Sequence, residues 1–524
     1  MKKVFYGGNI ITMGNPLYTE AVLIDNGKII ACGSKDEILA ANPLCEKIDL
    51  KGRTMLPGFI DPHSHFFQVA ISLLRVPLGG LSNVEDIKSS INKFISEHKI
   101  QPGSWINCRD YDNNIMPGLK NPSMKELDDM APNYPMVIHF KSGHMGLINS
   151  LGMKALGITP ESKSPDGGLI EIENGKLTGY LEENAFFDAI KRIPMPEPNQ
   201  LLHVFEEAQK KYASYGITTV QDGMVVAQML PLYEMLLKNN SLYLDVFLYS
   251  SPEDYSKTLT LLKRYPQNIR LHSGGMKIFL DGSPQGKTAW MRKPYAGEEE
   301  YCAYGTMTDE NVENAFILAA KVGTQLIAHC NGDAAAAQFL RCLEKAEEKE
   351  PILKKLRPVI IHGQLMGKDQ IPNAKILGAC VSFFVAHVYH WGDVHIRNFG
   401  MKRASLISPA GSAVKEGLNV TFHQDSPVIE PDMMETVWCA VNRETKNGVK
   451  LSEEERVSPL EALKAITING AYQYFQEFEK GTIESGKNAD FVILNDNPLQ
   501  VEYSKIRNIK VMATIKNGNV IYKA

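Results

Sequence analysis

The 524-residue sequence predicts an α/β fold: a (β/α)8 TIM barrel carrying a small β-sandwich domain made from both chain termini and a long insertion after strand 1. Three observations predict it. Eight short apolar segments alternate with amphipathic helical stretches through the middle of the chain. Asn-Gly dipeptides sit between alternating strands at both ends. Residues 66–215, between the first apolar segment and the second, are too many for a bare loop.

The ends come first. "AVLIDNGKIIACG" turns at Asn26-Gly27 and "MATIKNGNVIY" at Asn517-Gly518, and both dipeptides favour type I′ hairpins. With "KVFYGGNIITM", "KIDLKGRTML" and "ADFVILND" they supply a composite β-domain from residues 1–55 and 480–524, which the usual proximity of chain termini makes feasible. Residues 56–479 hold the barrel. Its strands read "GFIDPHSH", "GITTVQDG", "LYLDVFLYS", "GGMKIFLDG", "TQLIAHCN", "RPVIIHGQ", "GACVSFFV" and "NVTFHQDSP". Strands alternating with helices build parallel sheets. A barrel of this kind needs ~250 residues, and the surplus falls in an inserted subdomain at about 66–215. There "GGLIEIENGKLTGYLEE" reads as a hairpin turning at Asn174-Gly175.

Composition narrows the function classes. The 56 basic and 60 acidic residues nearly balance and no basic run occurs, so nucleic acid is not an expected partner. "MKKVFYGGNIITMG" lacks a signal-peptide core, and no run reaches the ~18 apolar residues of a membrane span. A cytoplasmic protein with a small-molecule substrate and no membrane partner is expected, and the sequence is compatible with a homodimer. Eight scattered cysteines without a CxxC pair read as free thiols.

Polar residues gather at the carboxyl ends of the strands, where barrel enzymes keep their active sites. His63 and His65 close the first strand, Lys277 lies in the fourth, His329 ends the fifth, His362 the sixth and Asp425 the eighth. On a strand the i, i+2 spacing of His63 and His65 puts both imidazoles on one face, where they can chelate a metal ion. Lys277 in "GGMKIFLDGS" is awkward among apolar neighbours. It either snorkels, pairs with Asp281, or has chemical work. Four histidines and an aspartate at matching strand ends are hard to explain as packing, since each brings a polar group into an apolar barrel mouth.

"LPGFIDPHSHF", the lysine of "MKIFLDGSPQGKTA", "AHCNGDAA", "IHGQ", "FHQDSPV" and "SPLEALKAITINGA" with "GTIESGKNADFVIL" together resemble the metal-dependent amidohydrolase superfamily nearly end to end. "SGHMGLINS", "GGLIEIENGKLTGYLEE" and the "DGS" after the lysine are most similar to amidohydrolase family 3, which includes N-substituted formamide deformylases. The resemblance implies two divalent metal ions. His63, His65 and Asp425 would hold one, His329 and His362 the other, and Lys277, as N6-carboxylysine, would bridge both. Zinc suits the nitrogen and oxygen ligand set. It also implies hydrolysis of the C–N amide bond of a small N-acyl or N-formyl amine through a metal-bridging hydroxide, with Asp425 as the catalytic proton carrier. An ester or lactone hydrolase would use the same site. A mononuclear ring deaminase has no bridging lysine and places a glutamate three residues after the strand-five histidine, where this chain has Gly332. A non-catalytic scaffold has no use for a full ligand set. Candidate substrate contacts are His144 in "SGHMGLINS", Trp290 and Arg292 after strand four, and His387, His390 and Trp391 in a loop after strand seven. His423 is either a substrate contact or a support for the ligands.

Overall fold

The computed structural model describes residues 2–140, 144–194 and 198–524. It comprises two compact units, Met1–Val69 with Glu206–Ala524, and Ala70–Phe205. In the first unit all eight apolar segments form strands of one sheet in chain order. They are β1 (Phe59–Ile60), β2 (Ile217–Val225), β3 (Asp245–Ser250), β4 (Leu271–Phe279), β5 (Gln325–Cys330), β6 (Val359–His362), β7 (Cys380–Phe383) and β8 (Val420–Phe422). Every adjacent pair is parallel. Strands such as Val-Ile-Ile-His in β6 are buried throughout, as expected where helices cover a parallel sheet. The connecting helices are locally specified. Asp309–Val322 begins where the Thr308 side chain accepts the Asn311 amide, and stops at Gly323 with φ of 67°.

The run of eight strands is open in its ladder, with no β1–β8 pair among the described residues, although beyond their ends the His65 amide donates to the Ser426 carbonyl at 2.9 Å. Ile60, Phe247, Tyr249, Ile327, Val359, Ile361 and Cys380, drawn from β1, β3, β5, β6 and β7, pack into one cluster. Tyr474 stacks on Phe247 within it, ring centroids 4.3 Å apart.

Two expectations need correction. β1 and β8 are shorter than read from sequence, so His63, His65, His423 and Asp425 lie past the strand ends in irregular backbone rather than on a pleated face. The segment after β7 is the helix His387–Phe399, because His387, Trp391 and His395 recur at helical spacing and form one aromatic face.

The termini join as foreseen in their hairpins. Asn26-Gly27 and Asn517-Gly518 both take positive φ, 47° and 78°, then 47° and 73°. The eight terminal strands belong to one hydrogen-bonded sheet. A buried ionic cluster ties this sheet to β3. Asp245 accepts from Lys480 and, at 2.6 Å, from Lys516, which also reaches Asp490 at 2.7 Å, while Arg270 takes the other Asp245 oxygen at 2.9 Å.

The second unit has its own six-stranded sheet, ordered Gly168–Glu173, Lys176–Glu183, Met145–Ile148, Met136–Phe140, Ile106–Tyr111 and Arg75–Pro77. Its core includes Ile87, Ile91, Leu127, Met136 and Ile138. No helix among the described residues is long and apolar enough to cross a membrane.

Candidate metal centre

The residues after β1 and β8 meet at one point. His63 Nε2 and His65 Nε2 each lie 3.3 Å from Asp425 Oδ1, and His362 Nε2 lies 3.9 Å from Asp425 Oδ2. Ligating atoms of His63, His65 and Asp425 all fall within 4.8 Å of one another, close enough to share one cation. Backbone conformation helps to aim them: His362 and Asp425 sit at φ of 77° and 56°, in the left-handed region that non-glycine residues rarely adopt. Gly223 fits against His63 so closely that a Cβ there would lie 2.5 Å from the His63 Cε1 atom.

The His63 and His362 imidazoles are each oriented from behind. His63 Nδ1 meets Gln221 Oε1 at 2.5 Å, and Gln221 is itself fixed because its Nε2 donates to the Pro62 carbonyl at 2.8 Å. His362 Nδ1 is 3.1 Å from His423 Nε2, whose Nδ1 is 2.8 Å from Ser382 Oγ. The His329 ring packs 4.7 Å from that of His362, with its Nδ1 3.3 Å from Asp281 Oδ1. Asp281 is a brace: its carboxylate accepts the backbone amides of Trp290, Asn331 and Gly332. Desolvation holds His63, His362 and His423 below their ordinary proton affinity, His423 to about 3, so all three are neutral imidazoles, the form that binds metal. At Asp425 burial opposes ionisation, but the surrounding imidazoles, His362 foremost, outweigh it, and the carboxylate persists well below the usual range.

Lys277 is 1% exposed, and its Nζ has no hydrogen-bond partner among the described residues. The Nζ atom lies over the Phe279 ring, 5.4 Å from its centroid, and Asp281 is committed to backbone amides instead. Burial lowers the Lys277 pKa from 10.5 to about 7, against the opposing pull of Asp425. His329 Nδ1 and Asp425 Oδ1 are also buried without an aligned partner. Orphaned polar atoms cost ~1–3 kcal/mol each, and their convergence on the Asp425 cluster fits a cation site better than it fits packing.

The candidate substrate contacts scatter. His387 is buried among Phe384, Trp391 and His395, with Nδ1 3.0 Å from His395 Nε2. Phe384 also packs on the rings of His362, His423 and Trp391, so this aromatic face flanks the centre. His390 is held by Glu435 at 2.9 Å, and Glu435 in turn by Arg507. Trp290 braces Asp281 through its amide. Arg292 is engaged at the surface by Asp369 at 2.8 Å. His144 belongs to the second unit, where it is exposed and pairs with Glu183 at 3.0 Å. Sequence reasoning passed over Gln221 and Ser382 and read Asp281 only as a partner for Lys277, although a glutamine in "TTVQDG" and a serine in "CVSFF" are polar interruptions of apolar strands that could have marked the first two.

A model of an amidohydrolase family matches residues 46–522. The chain is 28% identical to an N-substituted formamide deformylase of Arthrobacter pascens, covering 96% of this chain and 95% of that one. It is 27% identical to the protein LONG AFTER FAR-RED 3 of Arabidopsis thaliana, over 98% of this chain and 90% of the relative. Among solved structures, an uncharacterized metal-dependent hydrolase from Pyrococcus furiosus superposes with a TM-score of 0.77 at 25% identity, over 95% of this chain and all of that one.

Proposed function

Because the chain belongs to the amidohydrolase family, a group of metal-dependent hydrolases acting on non-peptide carbon–nitrogen bonds, we propose that it cleaves the amide bond of a small N-acyl or N-formyl amine at a two-metal centre. The observation that carries this reading is Lys277, a buried lysine whose Nζ has no partner beside a cluster of neutral imidazoles. A lysine with its pKa near 7 presents a substantial fraction of neutral amine at physiological pH. That amine can attack carbon dioxide, forming an N–C bond and releasing a proton, and the resulting carbamate is an anion suited to two cations. On this reading His63, His65 and Asp425 would hold one ion, His329 and His362 would hold the second, and carboxylated Lys277 would be shared between them, with zinc as the metal that fits the ligand set.

When bound, such ions supply Lewis acidity toward the scissile carbonyl and toward water. The chain does the rest. Asp425 accepts the proton of the attacking water and returns it to the departing amine, a role its persistent carboxylate form allows. Gln221 holds the His63 ring, and the Phe384, His387 and Trp391 face walls one side of the centre. We read the open parallel run as a closed (β/α)8 barrel, supported by the His65–Ser426 hydrogen bond and the shared core of β1, β3, β5, β6 and β7. The terminal sheet reads as folded over a common core of Phe5, Val22, Met55, Phe491 and Ile515. The partner is a small molecule and the location cytoplasmic.

Ring deamination is disfavoured by one contact. At Gly332, where a deaminase would carry its glutamate, any Cβ would lie 1.8 Å from the Trp290 carbonyl oxygen. The test is to express the protein with bicarbonate and zinc, count metal per chain, and screen N-formyl amines, N-acyl amines, lactones and ring deaminase substrates. Two equivalents with amine release from an amide support the reading. One equivalent with ammonia released from a ring sinks it.

A further inference from the structure

The histidines on the two sides of Asp425 are held by different devices. Behind His63 stands a one-way lock. Gln221 gives its amide hydrogens to the Pro62 carbonyl at 2.8 Å and the Tyr474 hydroxyl at 3.3 Å, which leaves only an acceptor facing His63 Nδ1. The His63 ring proton is therefore on Nδ1, and its Nε2 lone pair points at the Asp425 cluster.

Behind His362 stands a chain of groups that can each donate or accept. His362, His423 and Ser382 are all buried, and they link Nδ1 to Nε2 at 3.1 Å and Nδ1 to Oγ at 2.8 Å. The chain has two proton settings. If the Ser382 hydroxyl donates to His423, then His423 donates to His362 Nδ1, and the His362 proton is on Nε2, which blocks that atom as a ligand. If His423 donates to Ser382, its Nε2 accepts from His362 Nδ1, and His362 Nε2 is free to ligate.

Resting on the two-metal reading above, we propose that His423, seated by Ser382, is a positioning residue that sets the tautomer of His362 and thereby controls occupancy of the half of the centre containing His329 and His362. The half built on His63, His65 and Asp425, locked by Gln221, fills independently of it. Metal loading is then stepwise, and the second equivalent is the one sensitive to the relay.

The experiment titrates zinc, and separately cobalt for its visible spectrum, into the bicarbonate-supplied full-length protein against a competing chelator. Wild type, His423→Phe, His423→Gln and Ser382→Ala are compared. The expected result is that His423→Phe weakens only the second equivalent, by about 10- to 100-fold, the range seen when outer hydrogen bonds to ligating histidines are cut. His423→Gln, whose amide oxygen can still accept from His362 Nδ1, should recover part of that loss. Ser382→Ala, which removes one hydroxyl, should weaken the second equivalent in the same direction and decides the matter if His423→Phe fails to fold. Second-equivalent affinities equal to wild type in His423→Phe or Ser382→Ala overturn the proposal, as does equal weakening of both equivalents. A wild-type protein that takes up only one equivalent instead overturns the two-metal reading itself.

Discussion

Replacing Lys277 by methionine should make the metal-free protein more stable, although it removes the group on which the proposed chemistry depends. Methionine is unbranched and fills a similar volume without a charge. In the wild type the buried ammonium has no hydrogen-bond partner among the described residues, and its pKa falls from 10.5 to about 7. At ~1.4 kcal/mol for each tenfold change in proton affinity, the fold opposes the protonated lysine by about 5 kcal/mol at most. The sign follows from linkage. A folded-state pKa below the unfolded value means that the unfolded chain binds the extra proton, so the penalty is complete below pH 7 and fades as pH rises from 7 toward 10.5, where the lysine is neutral in both states. The assay is urea unfolding of chelator-stripped, bicarbonate-free protein at pH 6, 7.5 and 9, comparing midpoints because a chain of two units need not unfold in one step. Lys277→Met should have the higher midpoint at pH 6, with the gap narrowing at pH 9. A gap independent of pH, or a more stable wild type at pH 6, would refute the reasoning by showing that the lysine is paired in solution. With zinc and bicarbonate restored the order should invert, since bound metal then stabilises the wild type more than a variant that has lost the bridging ligand.

Two other perturbations probe the surroundings. Gly223→Ala places a Cβ 2.5 Å from His63 Cε1, and we expect ~1–3 kcal/mol of strain together with weaker binding of the first metal equivalent; unchanged zinc affinity would count against the placement of His63. Asp245→Asn strips the shared anion from Lys480, Lys516 and Arg270, and should cost roughly 3–5 kcal/mol at pH 7. Desolvation disfavours the Asp245 carboxylate, but Lys480, Lys516 and Arg270 overcome this and hold its pKa far below the usual range. Its contribution is therefore complete above pH ~4 and is lost as pH falls toward the folded value, so the gap between wild type and Asp245→Asn should shrink in acid. A gap that grows below pH 4 would overturn the ion-cluster account.

The candidate ligand types and their order along the chain were legible because chemistry that needs a metal-binding imidazole or a carboxylate leaves no cheaper residue to choose. His63, His65, Lys277, His329, His362 and Asp425 stand out against apolar strands in the bare sequence. The strand and hairpin rhythm was legible for a similar reason. Buried parallel strands must be apolar throughout, and Asn-Gly turns tolerate positive φ at both central positions. The residues that orient the ligands were not. Gln221, Ser382 and Asp281 act across long sequence intervals, 158 residues between His63 and Gln221 and 41 between Ser382 and His423, and no local pattern records a hydrogen bond made only on folding. Nor could local periodicity show that His63 and His65 lie beyond their strand, or that the histidine-rich helix 387–399 packs against Phe384. The sequence by itself determined which atoms could bind a metal and where along the chain they stand. Only the tertiary structure decided which of them converge, because convergence depends on backbone angles such as the positive φ of His362 and Asp425 and on partners brought in from distant strands.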